Sequence, residues 1–254
     1  MRYNPPVRRR FFVDSFANSR ATLHGEAAHH LGKVLRAQPG QLYELSDGQR
    51  VHLARIELAS RDRIEFALLE ELSAHIPTLD LTLLLSIVKF DAFEWAIEKA
   101  TELGVTKIVP LAAGRSEKGL LAAAPKRSDR WTKLLLEASQ QSRRLRPPIL
   151  TAAITPADAF ANSQNQSHKI LLSERPDAPP LRTLLTVSAA PSEPPAPGPH
   201  FAVLAIGPEG GWTDPELSAA TAANFQPASL GHLILRTETA VIAALASINF
   251  ALSD

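Results

Sequence analysis

The sequence predicts a two-part α/β protein, with a small β-rich unit over residues 1–75 and a largely parallel sheet covered by helices over 76–254. Three observations predict it. Short alternating segments broken by turn dipeptides fill the first 75 residues, and from Ile76 long apolar strands alternate with amphipathic helix patterns. Near the C-terminus, the loops Gly207–Trp212 and Leu230–Ala240 each join an apolar strand to a helix start. Open α/β sheets place ligands at such loops, because the main-chain groups there have neither a strand nor a helix partner.

The elements follow in order. RRFFVD, QLYELSDG and QRVHLARIEL read as strands, with Ser46-Asp47-Gly48-Gln49 as a hairpin turn and a short helix around Glu26–Leu35, together a small β-barrel. Leu79–Val88 is a buried strand, and Asp91-Ala92-Phe93-Glu94 caps a helix that buries Phe93, Ala96, Ile97, Ala100 and Leu103 and ends at Gly104. Val105–Ala112 is the next strand, and Ser128 opens a helix with Trp131, Leu134, Leu135 and Ala138 inward and a basic outer face. Lys169–Ser173, Phe201–Ile206 and Pro227–Leu230 supply further strands, while Thr213-Asp214-Pro215-Glu216 and Thr237 start helices. Five prolines mark 188–200 as a disordered surface loop.

Net charge is only +1, but its distribution is uneven. Residues 1–36 carry seven Lys/Arg against two acidic residues, and residues 115–146 carry nine against three. Clustered cations of this kind suit a polyanion such as RNA, whereas solvated basic helices are the plainer reading. The absence of cysteine excludes disulfides, thiolate metal sites and thiolate nucleophiles. His29 and His30 are adjacent and no metal-binding histidine spacing occurs, so no metal is expected. The longest apolar stretch, Leu79–Val88, is too short for a membrane span, and the expected location is the cytoplasm.

No GxGxxG or GxxxxGK[ST] pattern follows an early strand, which argues against a P-loop or dinucleotide enzyme. The loop Gly207-Pro208-Glu209-Gly210-Gly211 gains meaning from Leu235-Arg236-Thr237-Glu238-Thr239, which sets an arginine at a helix N-terminus. Such an arginine either pairs with Glu238 or Glu209 for structural reasons or stabilises a developing oxyanion.

With RRFF (Arg9–Phe12), HHLGKVLR (His29–Arg36), EKATELGV (Glu98–Val105), RWTKLLLEASQQS (Arg130–Ser142), IGPEGGW (Ile206–Trp212) and ILRTETA (Ile234–Ala240), the chain resembles the ribosomal RNA small subunit methyltransferase E family of the SPOUT superfamily. The resemblance implies a PUA-like RNA-binding β-barrel followed by a SPOUT-type α/β trefoil-knot domain, an exception to unknotted topology. It also implies methylation of N3 of a uridine in 16S ribosomal RNA, naked or in the assembled small subunit, by a homodimer that uses S-adenosylmethionine. Carried over by position, Ser173, Ile206, Gly207, Gly211, Leu230, Gly231, Ile234, Leu235 and Arg236 line the cofactor pocket, and Arg236 with an N-terminal arginine such as Arg10 meets the uridine. RNA contacts fall to Arg8, Arg9, Arg10, Lys33, Arg36, Arg115, Lys126, Arg127, Arg143, Arg144 and Arg146. The chain departs from the family pattern at Phe90, Ala92, Gln140, His232 and Leu233.

The chemistry accords with this. Methylation at C5 of a pyrimidine generally needs a cysteine adduct, whereas a ring nitrogen needs only loss of its proton and in-line placement of the methyl group. Arg236 against a uracil carbonyl favours the N3 anion, and Glu209 or water receives the proton. A SPOUT enzyme acting on the ribose 2′-hydroxyl and a non-catalytic RNA-binding protein are the alternatives.

Overall fold

Alternating side chains divide the chain's sheets into faces, and the helices follow from what those faces must bury. The computed structural model describes residues 9–164, 166–187 and 200–252, so Arg8 and the proline-rich stretch 188–199 lie outside the described residues. Two compact units result, one ending at Ile76 but joined by Ser139–Pro147, the other formed by Pro77–Ala138 and the chain from Pro148 onward.

In the first unit, strands β1 (Arg10–Phe12), β2 (Arg20–His24), β3 (Leu42–Ser46), β4 (Val51–Ala59) and β5 (Arg63–Leu72) make one sheet in the order β1-β3-β4-β5-β2. Only the β1–β3 pair is parallel. No pairing joins β1 to β2 among the described residues, so the expected barrel is an open, half-barrel sheet. Two register shifts in the β4–β5 ladder supply the local twist that curls such a sheet. The expected helix is α1 (Gly25–His29) running into a π-helical turn, His30–Val34. It caps a core of Phe11, Leu23, Leu31, Leu45, Ile56, Ile64 and Phe66. Asp47-Gly48 makes the β3–β4 hairpin: Asp47 Oδ1 accepts from the N–H groups of Gln49 and Arg50, and Gly48 takes φ 85°. Ser46 Oγ donates to the Leu145 carbonyl at 2.6 Å, fastening 139–147 to this unit, a connection that nothing in the sequence announces.

In the second unit the elements are β6 (Leu79–Ser86), α2 (Phe90–Glu102), β7 (Lys107–Leu111), α3 (Lys118–Ala123), a 3₁₀ turn (Ala124–Arg127) and α4 (Ser128–Gln141). They continue with β8 (Ile149–Leu150), α5 (Pro156–Ala161), β9 (His168–Leu172), α6 (Leu181–Val187), β10 (His200–Ile206), α7 (Asp214–Ala222), β11 (Gln226–Ala228) and α8 (Thr237–Leu252). The six strands are all parallel, in the order β11-β9-β10-β6-β7-β8. Central β6 is apolar almost throughout because both its faces are covered. Leu79, Leu81, Leu83 and Leu85 share a core with Phe93 and Ile97 of α2 and Val241, Leu245 and Ile248 of α8. Leu84 faces the other way, into a core with Phe160, Trp212, Ala220 and Phe225.

One helix start differs from expectation. The N-cap of α2 is Lys89, and Glu94, expected to complete a capping box with Asp91, is instead buried, its carboxylate accepting from Arg130 Nε at 2.8 and 2.9 Å and from Arg127 Nη1 at 3.4 Å. Two guanidiniums with strong donor geometry outcompete one backbone N–H for the same carboxylate.

Candidate functional site

Strands β9, β10 and β11 are adjacent and parallel, so the turns leaving Leu172, Ile206 and Ala228 open on the same edge of the sheet. Between them lies a pocket of about 600 Å³, within the range of roughly 300–1,000 Å³ usual for small-molecule sites. All nine residues expected to line a cofactor site, Ser173, Ile206, Gly207, Gly211, Leu230, Gly231, Ile234, Leu235 and Arg236, line this pocket, and so does Glu209. Sequence reasoning missed Leu172, Arg175 and Trp212, and it gave Arg115, which also lines the pocket, to RNA.

Local chemistry fixes each wall. Trp212 Nε1 donates to the Leu172 carbonyl at 2.9 Å, tying the turn after β10 to the end of β9. Its indole lies so close to Gly207 that a Cβ there would stand 3.1 Å from Trp212 Cε2, which is why that position carries no side chain. Gly211, at φ 70°, closes a turn by donating its N–H to the Pro208 carbonyl. Thr213 and Glu216 then form a reciprocal capping box at the start of α7. On the third wall, Ser173 N–H donates to the Ala228 carbonyl, Ser229 N–H donates to Pro179 and Leu181 N–H to Ser229, pinning the last strand before the chain turns at Ser229–Gly231. Beyond that turn, the main-chain N–H groups of Leu233, Ile234 and Leu235 donate to no protein acceptor among the described residues. They leave hydrogen-bonding capacity unspent in a loop that lines the pocket.

Arg236 precedes the first residue of α8, is exposed, and makes no ion pair with Glu238 or Glu209 among the described residues. The structural pairing considered from sequence is therefore not present, and the guanidinium keeps its donors for a ligand.

The cations expected to contact RNA are more committed than their count suggests. Arg10 is 8% exposed, and its Nε and Nη2 donate to Glu44 at 3.0 and 2.9 Å, so its guanidinium is spent inside the first unit. Arg143 lies 3.7 Å from the same carboxylate, and Arg127 is engaged by Glu94. Arg144 Nε donates to the Arg146 carbonyl; burial, with the neighbouring Arg146 charge, lowers its pKa to about 10, still charged at neutral pH. Arg115 Nη1 donates to the Gly210 carbonyl. Lys33, Arg36, Lys126 and Arg146 are exposed, and Arg9 is half-buried. Among the described residues no group of three or more histidines or acids is placed to hold a metal, and no helix is long and apolar enough to cross a membrane.

Comparison with known proteins gives the same outline. A family model described as an RNA methyltransferase domain matches residues 75–249, and one described as an RNA methyltransferase PUA domain matches residues 23–69. Ribosomal RNA small subunit methyltransferase E of Synechocystis is 36% identical over 90% of this chain and 72% of its own length. The protein of that name from Rickettsia conorii is 31% identical over 98% and 96%. The crystal structure of the Neisseria gonorrhoeae relative bound to S-adenosyl methionine superposes with a TM-score of 0.81 at 30% identity, covering 97% of this chain and 98% of its own.

Proposed function

The chain belongs to the ribosomal RNA small subunit methyltransferase E family of SPOUT-type enzymes, and from that premise we propose that it transfers a methyl group from S-adenosylmethionine to N3 of a uridine in 16S ribosomal RNA, acting in the cytoplasm. The observation that carries this reading is Arg236, an unpaired, exposed guanidinium at the mouth of a pocket walled by main-chain groups that lack partners. Bound there, S-adenosylmethionine supplies an electrophilic methyl group on a sulfonium. Unpaired amides at Leu233–Leu235 suit the heteroatoms of such a cofactor, and the apolar floor of Ile206, Leu230 and Trp212 suits its rings.

Arg236 donates to a uracil carbonyl and stabilises the charge that spreads over the ring as N3 loses its proton. Glu209, exposed at the same rim, or water would accept the N3 proton, and N3 would take the methyl group from a bound donor, which leaves as the neutral thioether S-adenosylhomocysteine. Arg10, held by Glu44, has no part in this scheme. RNA is gripped by the exposed cations Lys33, Arg36, Lys126 and Arg146.

The working form is a homodimer. Leu233 and Ile234 are each 81% exposed beside the pocket and Phe250 on α8 is 93% exposed, side chains that a second copy would remove from water.

The deciding experiment digests 16S ribosomal RNA from cells lacking the protein and weighs the nucleosides. One N3-methyluridine should vanish and return with the wild-type chain. A missing 2′-O-methyl group would instead assign the ribose, and an unchanged profile from a chain that binds no S-adenosylmethionine would leave an RNA-binding protein. Methyl transfer in vitro to naked 16S RNA or to assembled subunits identifies the true substrate.

A further inference from the structure

Arg115 sits where charge counting assigns it to RNA, yet its strongest contact is inside the pocket wall. Strand β7 leaves the sheet through Ala112–Glu117, and Arg115 Nη1 donates to the Gly210 carbonyl at 2.7 Å. One residue earlier, Gly114 N–H donates to Glu216 Oε1 at 2.8 Å, while Glu216 Oε2 accepts from Thr213 N–H and Thr213 Oγ1, both at 2.8 Å. The loop after β7 is thus laced to the middle of the Gly207–Thr213 turn through Arg115 and to its end through Gly114. The fit is close: a Cβ on Gly210 would stand 3.2 Å from Arg115 Cβ and 3.4 Å from its Cδ, and a Cβ on Gly114 would stand 3.2 Å from Thr213 Cγ2.

The peptide between Gly210 and Gly211 is flanked by two residues without side chains, so its orientation rests on two hydrogen bonds, from the Gly211 N–H to the Pro208 carbonyl and from Arg115 to the Gly210 carbonyl. A half-turn of that peptide would break both bonds and exchange the direction of an N–H and a C=O in the pocket wall. The charge-assisted hydrogen bond to the carbonyl strengthens the orientation that the Gly211 N–H already favours.

The geometry points to Arg115 as a positioning residue that locks the Gly210–Gly211 peptide in the orientation the methyl donor needs, and not as an RNA contact. This rests on the reading that the pocket holds S-adenosylmethionine. Calorimetric titration of the full-length wild-type chain with S-adenosylmethionine tests that reading first, since a wild type that takes up none overturns it and the inference with it. Given wild-type binding, Arg115→Ala should weaken donor affinity roughly tenfold to a hundredfold, the scale of a lost charged hydrogen bond. Turnover at saturating donor should fall far less than kcat/KM for the donor, and the salt dependence of RNA binding should stay as in wild type. Arg115→Lys, which keeps a donor, should recover part of the affinity. Gly210→Ala, which crowds Arg115 from the other side, should reproduce the loss, and the double variant should be little worse than either single one.

Wild-type donor affinity in Arg115→Ala overturns the inference. If the salt slope of RNA binding also drops by about one, Arg115 is a phosphate contact. Should Arg115→Ala fail to unfold cooperatively, the lysine and Gly210→Ala variants carry the same comparison: undiminished donor binding in Gly210→Ala overturns the inference equally.

Discussion

Arg236 stands at a place where a cation is disfavoured. The start of a 16-residue helix gathers partial positive charge from unpaired N–H groups, and a guanidinium beside it is repelled unless an anion lies between them. A position that costs stability without a ligand is a good place to look for function. Arg236→Ala should therefore lower turnover by roughly a hundredfold or more while changing donor affinity little, as single-turnover kinetics beside calorimetry would show. Equal losses in both would make Arg236 a cofactor ligand only. Asp47 illustrates a residue whose effect is on stability. Partial burial opposes its ionisation, but the N–H groups of Arg50 and Gln49 and the Arg50 charge outweigh this and hold its carboxyl below the ordinary 3.8. The stabilisation is thus present above that value and is lost as pH falls through the lower folded one. Asp47→Ala should cost about 1 kcal/mol at neutral pH, and denaturation midpoints of the two chains should converge only as the pH drops below 3.8. At this scale two loops of the pocket were legible because glycines and helix starts declare themselves in sequence, while the individual lining residues came from the family resemblance. The partners of Arg10 and Arg115 were not legible, because the carboxylate or carbonyl that each one meets comes from a distant stretch of chain.

Among the elements, α7 is stabilised by local means, with Pro215 in its first turn and a capping box between Thr213 and Glu216. Thr213→Ala should lower stability by about 1 kcal/mol, read as a shifted urea midpoint at constant slope. Because Glu216 also holds Gly114, the same variant should loosen the pocket wall and speed amide exchange at Gly114; unchanged exchange there would separate cap from wall. The long strands and the helices α2 and α4 were readable from their apolar period, and α7 and α8 from start signals at Thr213 and Thr237, although the capping box expected at Asp91 did not form. The short α3, α5 and α6 were not, since fewer than two turns leave little periodic signal. Strand order was likewise hidden. It depends on which apolar faces meet, and β11 finds its place beside β9 and not beside β10, its predecessor in the chain.

For the whole molecule, net charge near zero conceals a division between committed and available cations. Replacing Lys33 and Arg36 by alanine should flatten the plot of log affinity for RNA against log salt by roughly 1.4, at about 0.7 per charge on a single strand. The pair Arg127→Ala with Arg130→Ala, which share the single carboxylate of Glu94, should flatten it by clearly less. Equal effects from both pairs would mean that Glu94 does not hold its partners in solution. Phe250→Arg should shift the chain toward a monomer in sedimentation if α8 lies in the dimer interface, and an unshifted dimer would move that interface elsewhere.

The pocket walls come from the turns after three strands, and the last of them ends at Arg236, the latest in the chain. During synthesis, a polypeptide still lacking that last turn therefore has no complete cradle for the methyl donor, however well its earlier strands have settled.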